Sequence, residues 1–293
     1  MDSRVFDILS RGVEVEESDE ESCYVRIPQK LDRDLYLGVD KVFKVYGGKW
    51  ISGKTHAHLF PYPAADIQQF FATVIESGTL PSSNPLAFFF TPAGAAGYLL
   101  GSLSLSGEGQ RVLEPSAGTG HLVDHILQEF DEPQITAVEI DPFRANVLRR
   151  KYADNPRVEV IEADFMRWAA GAYGRRQFDT VVMNPPFAVK EDSLAYVNHI
   201  ALAWSLLGPE GQLASIVPSG INFQDSAFVK RLRQRMKQKG AVENLPELAF
   251  KEAGTCTRTA FCYGNKWVPP LVVRKEPAPP VLVDCLTGQM AFF

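Results

Sequence analysis

The chain has 293 residues, 45% of them hydrophobic, enough to bury one large core or a catalytic core with a smaller attachment. Its net charge of −5 argues against a protein that coats nucleic acid, although local lysine and arginine patches can still neutralise phosphates. The longest apolar stretches, such as Leu86 to Phe90 and Val181 to Met183, fall far short of the roughly 20 residues of a membrane span, so no transmembrane helix is expected.

The N-terminus, MDSRVFDILSRGVEVEESDEE, is acidic early and lacks both an apolar export core and an arginine-rich transit pattern, so a cytoplasmic location is expected. Residues 1–85 carry short alternating runs (YVRI, LYLGVDKVFKVYGG, KWISG) and then a predicted helix, Ala64 to Glu76, which fits a small β-rich or mixed α+β accessory region. SGTLPSSNP reads as a linker. From Phe88 onward, strand-like and helix-like stretches alternate. Strands are predicted at Gln110 to Leu113, Gln134 to Ile140, Val158 to Ala163, Asp179 to Met183, Gln212 to Val217 and Thr257 to Tyr263. Helices are predicted at His121 to Phe130, Pro142 to Tyr152, Met166 to Tyr173 and Leu194 to Leu207. The alternation points to an α/β catalytic domain over residues 86–268, with a parallel sheet and crossover helices. After Val268 the chain turns proline-rich, PPLVVRKEPAPPVLV, and residues 269–293 read as an extended tail.

Cys23, Cys256, Cys262 and Cys285 form no C-x-x-C pair and have no nearby histidine, so neither a metal site nor a disulfide framework is expected. They read as free thiols. Basic patches occur at Lys230 to Lys239 (KRLRQRMKQK), at Arg149, Arg150 and Lys151, and at Arg167, Arg175 and Arg176. Each is either a solvated helix face or a phosphate contact.

RVLEPSAGTGHL, Arg111 to Leu122, is a short apolar strand, an acidic residue, a glycine-rich turn and a helix start. Gly118 and Gly120 let the backbone turn sharply and approach a ligand closely. Alone, such a loop suits a plain strand-to-helix connection, a dinucleotide or a methyl donor. No Walker-type lysine follows, which disfavours a nucleoside triphosphate. The second strand ends in VEID, placing Glu139 where it can accept from both hydroxyls of a ribose. The third ends in EADF, where the Asp164 carboxylate can accept from an adenine amino group and the Phe165 ring can cover the base. For Glu139 and Asp164 the bland alternative is helix N-capping.

The fourth strand ends in NPPF, Asn184 to Phe187. An aromatic amine is a poor nucleophile because its lone pair is delocalised into the ring. Two acceptors that hold its N–H groups favour a pyramidal nitrogen as the new bond forms. Asn184 Oδ1 and the Pro185 carbonyl suit those roles, and Pro185 and Pro186 restrict the backbone without adding a competing N–H. Phe187 can stack on the target base.

With these elements in place, the chain resembles the class I methyltransferases, and specifically the γ-type N6-adenine DNA methyltransferases. The resemblance covers about residues 88–268, in order: Phe90-Thr91-Pro92, EPSAGTG, VEID, EADF, NPPF, IVPSG (Ile216 to Gly220) and FKEAGTCTRTAFCYG (Phe250 to Gly264). It implies a Rossmann-like, seven-stranded, mostly parallel sheet with one antiparallel strand near an edge. It further implies S-adenosylmethionine as cofactor, with Thr91, Pro92, Glu114, Ser116, Ala117, Gly118, Thr119 and Gly120 around its methionine part and Asn184 beside it. Glu139 would hold the ribose, and Ile140, Asp164 and Phe165 the adenine. Methyl transfer would be a direct displacement on a base flipped out of its stack, without metal or covalent intermediate. The resemblance is compatible with a restriction-modification setting, and phage or plasmid protection and regulation stay open beside it.

The chain departs from the fuller pattern in one respect. Too few residues follow the late hairpin for a separate target-recognition domain. Either residues 1–85 contribute to recognition, with GGKW, Lys54, His56 and His58 as contact groups, or they act as a lid or packing element and the enzyme has little sequence preference. The terminal Gln289 to Phe293 resembles short peptides that bind sliding clamps, against a segment packed on its own surface. His121 reads as a helix-start residue rather than a general base. RNA or protein-glutamine amino-methylation, and a noncatalytic nucleic-acid-binding relative, remain open as alternatives to DNA.

Overall fold

The computed structural model describes residues 3–19, 22–52, 55–77, 91–104, 107–175, 177–189, 192–247, 249–250 and 257–266. Lys54, Phe90, Arg176, Cys256, Cys285, the proline-rich tail and Gln289 to Phe293 lie outside the described residues. The chain forms two compact units, Met1–Leu86 and Ala87–Phe293.

The first unit runs α1 (Ser3–Arg11), β1 (Glu14–Asp19), β2 (Ser22–Arg26), α2 (Arg33–Val45), β3 (Lys49–Ile51), β4 (Ala57–Phe60) and α3 (Ala64–Ser77). Its sheet is antiparallel throughout, in the order β1-β2-β4-β3. One expectation is corrected here: LYLGVDKVFKVYGG is a helix, not an alternating strand run. Asp32 caps α2 by accepting from Leu35 N at 2.9 Å. Val39, Val42, Phe43 and Tyr46 then recur at helical spacing and are buried. Burial of side chains of this size contributes about 1.5–3 kcal/mol each, which outweighs the β preference of the valines. Gly47, at φ +83°, ends the helix.

His58, expected as a contact group, is 1% exposed, with Nε2 3.0 Å from Asp40 Oδ1. It is a buried tie between β4 and α2 and is unavailable to an outside partner. Trp50 and His56 do remain on the surface.

The second unit runs α4 (Ala93–Gly101), β5 (Arg111–Glu114), α5 (His121–Glu129), β6 (Gln134–Glu139), α6 (Pro142–Lys151), β7 (Val158–Glu162), α7 (Phe165–Ala172), β8 (Phe178–Met183), α8 (Ala195–Ser205), β9 (Leu207–Pro218), a short 3-10 turn (Ser219–Asn222), α9 (Ala227–Lys239), β10 (Gly240–Asn244) and β11 (Thr259–Asn265). The predicted strands and helices are present with shifted ends. The largest shift is in β9, which starts at Leu207 because Leu207 already pairs with Phe178. The predicted final strand, Thr257 to Tyr263, is displaced to Thr259–Asn265.

The seven strands are ordered β10-β11-β9-β8-β5-β6-β7. Only β11 runs against its neighbours, pairing antiparallel with both β9 and β10. This is the Rossmann-like α/β sheet that was expected. Alternating strand residues face two apolar clusters. One joins α7, α8 and α9 to Leu113, Val181 and Leu213. The other joins α4, α5 and α6 to Val112, Val182 and Ala214. The strand order reverses between β5 and β8, and a crevice opens at the carboxyl ends of strands at such a switch point.

Candidate active site

Two motifs flank that crevice because β5 and β8 are parallel neighbours, with Val112 opposite Thr180 and Leu113 opposite Val181. The glycine turn leaves β5 and NPPF leaves β8 at the same edge.

The turn is held by its own backbone and by a neighbouring carboxylate. Gly118 (φ +57°) and Gly120 (φ +91°) adopt left-handed backbone, which L side chains resist. Ala117 N donates to Val138 O at 2.9 Å and Gly120 N to Ala117 O at 2.9 Å. Gly118 N donates to Glu139 Oε2 at 2.7 Å, and Asp141 N to Glu139 Oε1 at 2.8 Å. Arg144 lies 3.7 Å from the same Oε1. Burial raises the Glu139 pKa, while Arg144 and the two backbone N–H groups oppose that rise. Tyr152, from the end of α6, donates its hydroxyl to Gly120 O at 3.0 Å.

Glu114 is fully buried at the end of β5. Its Oε1 accepts from Ser116 N at 3.0 Å, whereas its Oε2 has no partner, and neither has the buried Ser116 Oγ. Burial, with the nearby Glu139 charge, pushes the Glu114 pKa well up, despite the Ser116 N–H. Two orphaned buried oxygens at one turn call for a ligand bearing donors.

The expected adenine contacts divide. Ile140 exposes 46% of its surface at the end of β6, as an apolar wall would. Asp164 Oδ1 caps α7 by accepting from Met166 N at 2.8 Å, while Oδ2 lies 3.7 Å from the exposed Arg167. Phe165 is corrected: its ring is 3% exposed, packed in the core beside His199 and Trp168, and not free to cover a base. Its backbone N–H still sits in the first turn of α7, where it has no intrahelical acceptor.

At NPPF, Asn184 Nδ2 donates to Thr91 Oγ1 at 3.1 Å. Thr91, 4% exposed, precedes Pro92, the N-cap of α4. Pro185 is buried, Pro186 half-buried, and Phe187 packs against both apolar clusters where they meet. Thr119 Oγ1 lies 3.2 Å from His121 Nδ1, and His121 opens α5. Sequence reasoning missed Asp141, Arg144 and Tyr152. Asp141-Pro142 was readable as a helix start, Arg144 lies one turn further, and nothing local marks Tyr152.

Among the described residues no histidine, cysteine or carboxylate cluster could hold a metal, no helix is long and apolar enough to cross a membrane, and Cys23 and Cys262 are free and buried.

A family model described as the methyltransferase small domain matches residues 94–244. The chain is 28% identical over 204 residues to the modification methylase CviBIII of Paramecium bursaria Chlorella virus NC1A, covering 64% of this chain and 50% of that protein. It is 30% identical over 127 residues to the tRNA1(Val) (adenine(37)-N6)-methyltransferase of Porphyromonas gingivalis, covering 37% of this chain and 50% of that protein. The chain thus spans about half the length of these curated relatives. A solved structure, the type I restriction-modification system methyltransferase subunit from Streptococcus thermophilus, superposes with TM-score 0.52 at 17% identity, over 69% of this chain and 49% of that one.

The cofactor of this class is S-adenosylmethionine, and the site fits it. Among the described residues Arg144 is the one buried cation, and it pairs with Glu139, so the buried carboxyl groups of Glu114 and Glu139 make the turn better suited to a cationic ligand than to a pyrophosphate. Gly118, in left-handed backbone, lets the turn approach a ligand, whereas Gly120 makes room for Tyr152 and Leu148 behind the turn, and Ile140 offers an apolar surface. By its match across the carboxyl-edge turn, the strand-end carboxylates and NPPF, this chain belongs to the methyltransferase small domain family.

Proposed function

We propose that the chain methylates the N6 amino group of adenine in DNA. The observation that supports this reading is the hydrogen bond from Asn184 Nδ2 to Thr91 Oγ1 at the strand end next to the glycine turn, which would make Oδ1 and the Pro185 carbonyl the acceptor pair an exocyclic amine needs. When bound, S-adenosylmethionine supplies a methyl group activated by its sulfonium charge.

The chain's own residues do the rest. Glu114 Oε2, Ser116 Oγ and the backbone of Ala117 to Gly120 hold the methionine part, with Thr91 and Pro92 at its side. Glu139 takes the ribose hydroxyls with lone pairs left over from Gly118 and Asp141. Ile140, Asp164 Oδ2 and the Phe165 N–H surround the adenine. Asn184 Oδ1 and the Pro185 carbonyl hold both N–H groups of the target amine and localise its lone pair. Pro186 fixes that carbonyl and Phe187 stacks on the base. The amine's extra proton leaves to solvent, so no base is required.

The Porphyromonas gingivalis likeness favours a second reading, the same chemistry on adenine in tRNA. Labelled methyl transfer to unmethylated duplex DNA and to tRNA, followed by nucleoside analysis, tests both. N6-methyladenine in DNA is the expected product. Label confined to tRNA would replace DNA by RNA, and label in neither would reject the reading.

A further inference from the structure

We infer that the outward face of α9 carries the phosphodiester backbone of the DNA strand that enters the site. The inference rests on the reading of the chain as a nucleic-acid methyltransferase and assigns the part of that substrate lying outside the base pocket.

Helix α9, AFVKRLRQRMKQK, bears six basic side chains and no acidic one, in a chain whose net charge is −5. Val229 and Met236 are buried and fix which side faces the core. Lys230, Arg231, Arg235 and Lys237 then lie on the exposed arc, interleaved with the exposed amides of Gln234 and Gln238. Arg233 is turned inward, donating to Ile221 O at 2.7 Å, and belongs to the fold rather than the surface.

The bland alternative is a helix stabilised by its own charges, and the placement argues against it. Cations favour the last turn of a helix and are disfavoured in the first, yet Lys230 and Arg231 stand near the beginning. Lys230 is offset by Asp225 at 3.1 Å, whereas Arg231 has no acidic partner among the described residues. Arg231 and Arg235, four apart, repel one another. Lys237 in the last turn suits the helix dipole, but Lys230, Arg231 and Arg235 gain nothing from it, and a face with this excess of cations is matched to something anionic outside.

Position supplies the link to the site. β9 is the parallel neighbour of β8, with Met183 opposite Ser215, so Pro218 and the turn after it lie at the edge where NPPF emerges. Phe223, 77% exposed, follows that turn, and Phe228, 40% exposed, stands in the first turn of α9. Two exposed aromatic rings that follow the carboxyl end of β9 in the chain and lead into a cationic helix face suit a stacking platform followed by a backbone track. The helix is about 20 Å long, enough for several successive phosphates.

The test is the salt dependence of binding. Full-length wild type and the triple variant Arg231→Gln, Arg235→Gln, Lys237→Gln are titrated with a fluorescent adenine-containing DNA duplex, and with RNA of the same sequence, from 50 to 200 mM salt. Each phosphate contact contributes about 0.9 to the slope of log K against log salt, so the three should lower it by roughly 2.7. Wild type should therefore lose about forty-fold more affinity than the variant across that range. S-adenosylmethionine binding and thermal stability, measured alongside, should match wild type and show that the variant is folded. Phe223→Ala should weaken DNA binding several-fold with its salt slope unchanged. An unchanged slope in the folded triple variant overturns the inference even when wild type methylates DNA. A reduced slope for RNA but not DNA overturns DNA as the occupant. A reduced DNA slope in a protein that transfers no methyl to DNA upholds the surface while removing the catalytic reading.

Discussion

Replacing Gly120 by alanine isolates the glycine turn from the rest of the site. At φ +91° an L side chain is strained by about 1–2 kcal/mol. The new Cβ would also come 2.5 Å from Tyr152 Oη and 3.0 Å from Leu148 Cδ2. Both atoms belong to the packed end of α6, so overpacking adds about 1–3 kcal/mol. Reduced freedom of the unfolded chain returns about 0.4–1 kcal/mol. The expected net loss is about 2–4 kcal/mol, or roughly 5–15 °C in the melting of the second unit. Differential scanning calorimetry of the full chain measures it. Tyr152→Phe removes the atom that clashes first, together with its bonds to Gly120 O and Asp124 Oδ1, at a cost of its own near 1 kcal/mol. In that background Gly120→Ala should be less damaging by about 1 kcal/mol. A loss below about 0.5 kcal/mol, or strict additivity with Tyr152→Phe, would refute the steric reasoning.

Asn184→Ala should lower kcat by about 10²–10³-fold with little change in S-adenosylmethionine affinity, as expected for a group used mainly in the transition state; stopped-assay kinetics with isothermal titration separates the two. Glu114 is buried with a raised pKa, so above the ordinary carboxylate range its unfolded form has already lost the proton that the folded form retains. Stability of the ligand-free protein therefore falls as pH rises toward the folded value. Glu114→Gln should flatten that part of the melting-versus-pH curve and weaken cofactor binding; parallel curves would contradict the assignment. His58 has the opposite sensitivity: burial lowers its pKa despite Asp40, so stability is lost as pH falls from about 6.5 toward the folded value. Hydrogen exchange in β4 should accelerate over that window, and no acceleration would remove His58 as the cause.

The parts of the site that could be read in advance are those where local chemistry and topology coincide. The glycine turn, Glu139 and NPPF each follow a strand, and parallel strands deliver all their carboxyl ends to one edge. Asp164 and Phe165 show the limit. Capping and ligand binding require the same residue at the same place, and only the bond to Met166 N reveals which oxygen is occupied. A phenylalanine at a strand end likewise faces either core or crevice, and the packing of His199 and Trp168 decides it. The valines and aromatics of α2 mimic alternation over a few residues, and a helix cap four residues earlier resolves the ambiguity. α4 is the least legible element. Its sequence, AGAAGYLLG, has weak helix propensity, and it forms because Ala95, Ala96, Leu99 and Leu100 find a sheet to cover.

Among the described strands, the one that fills the gap between β9 and β10 is the last to be synthesised. Until Thr259–Asn265 is inserted, β9 offers a largely buried apolar stretch, Gln212 to Val217, with one edge unpaired. The ribosome takes roughly 2–10 s to add the residues separating the two strands. Through that interval the nascent chain holds a finished glycine turn and NPPF on a sheet still open to other β-edges, including those of its sister chains on the same message. The period of greatest aggregation risk is thus set by chain order and translation speed, and slowing synthesis after Pro218 would lengthen it.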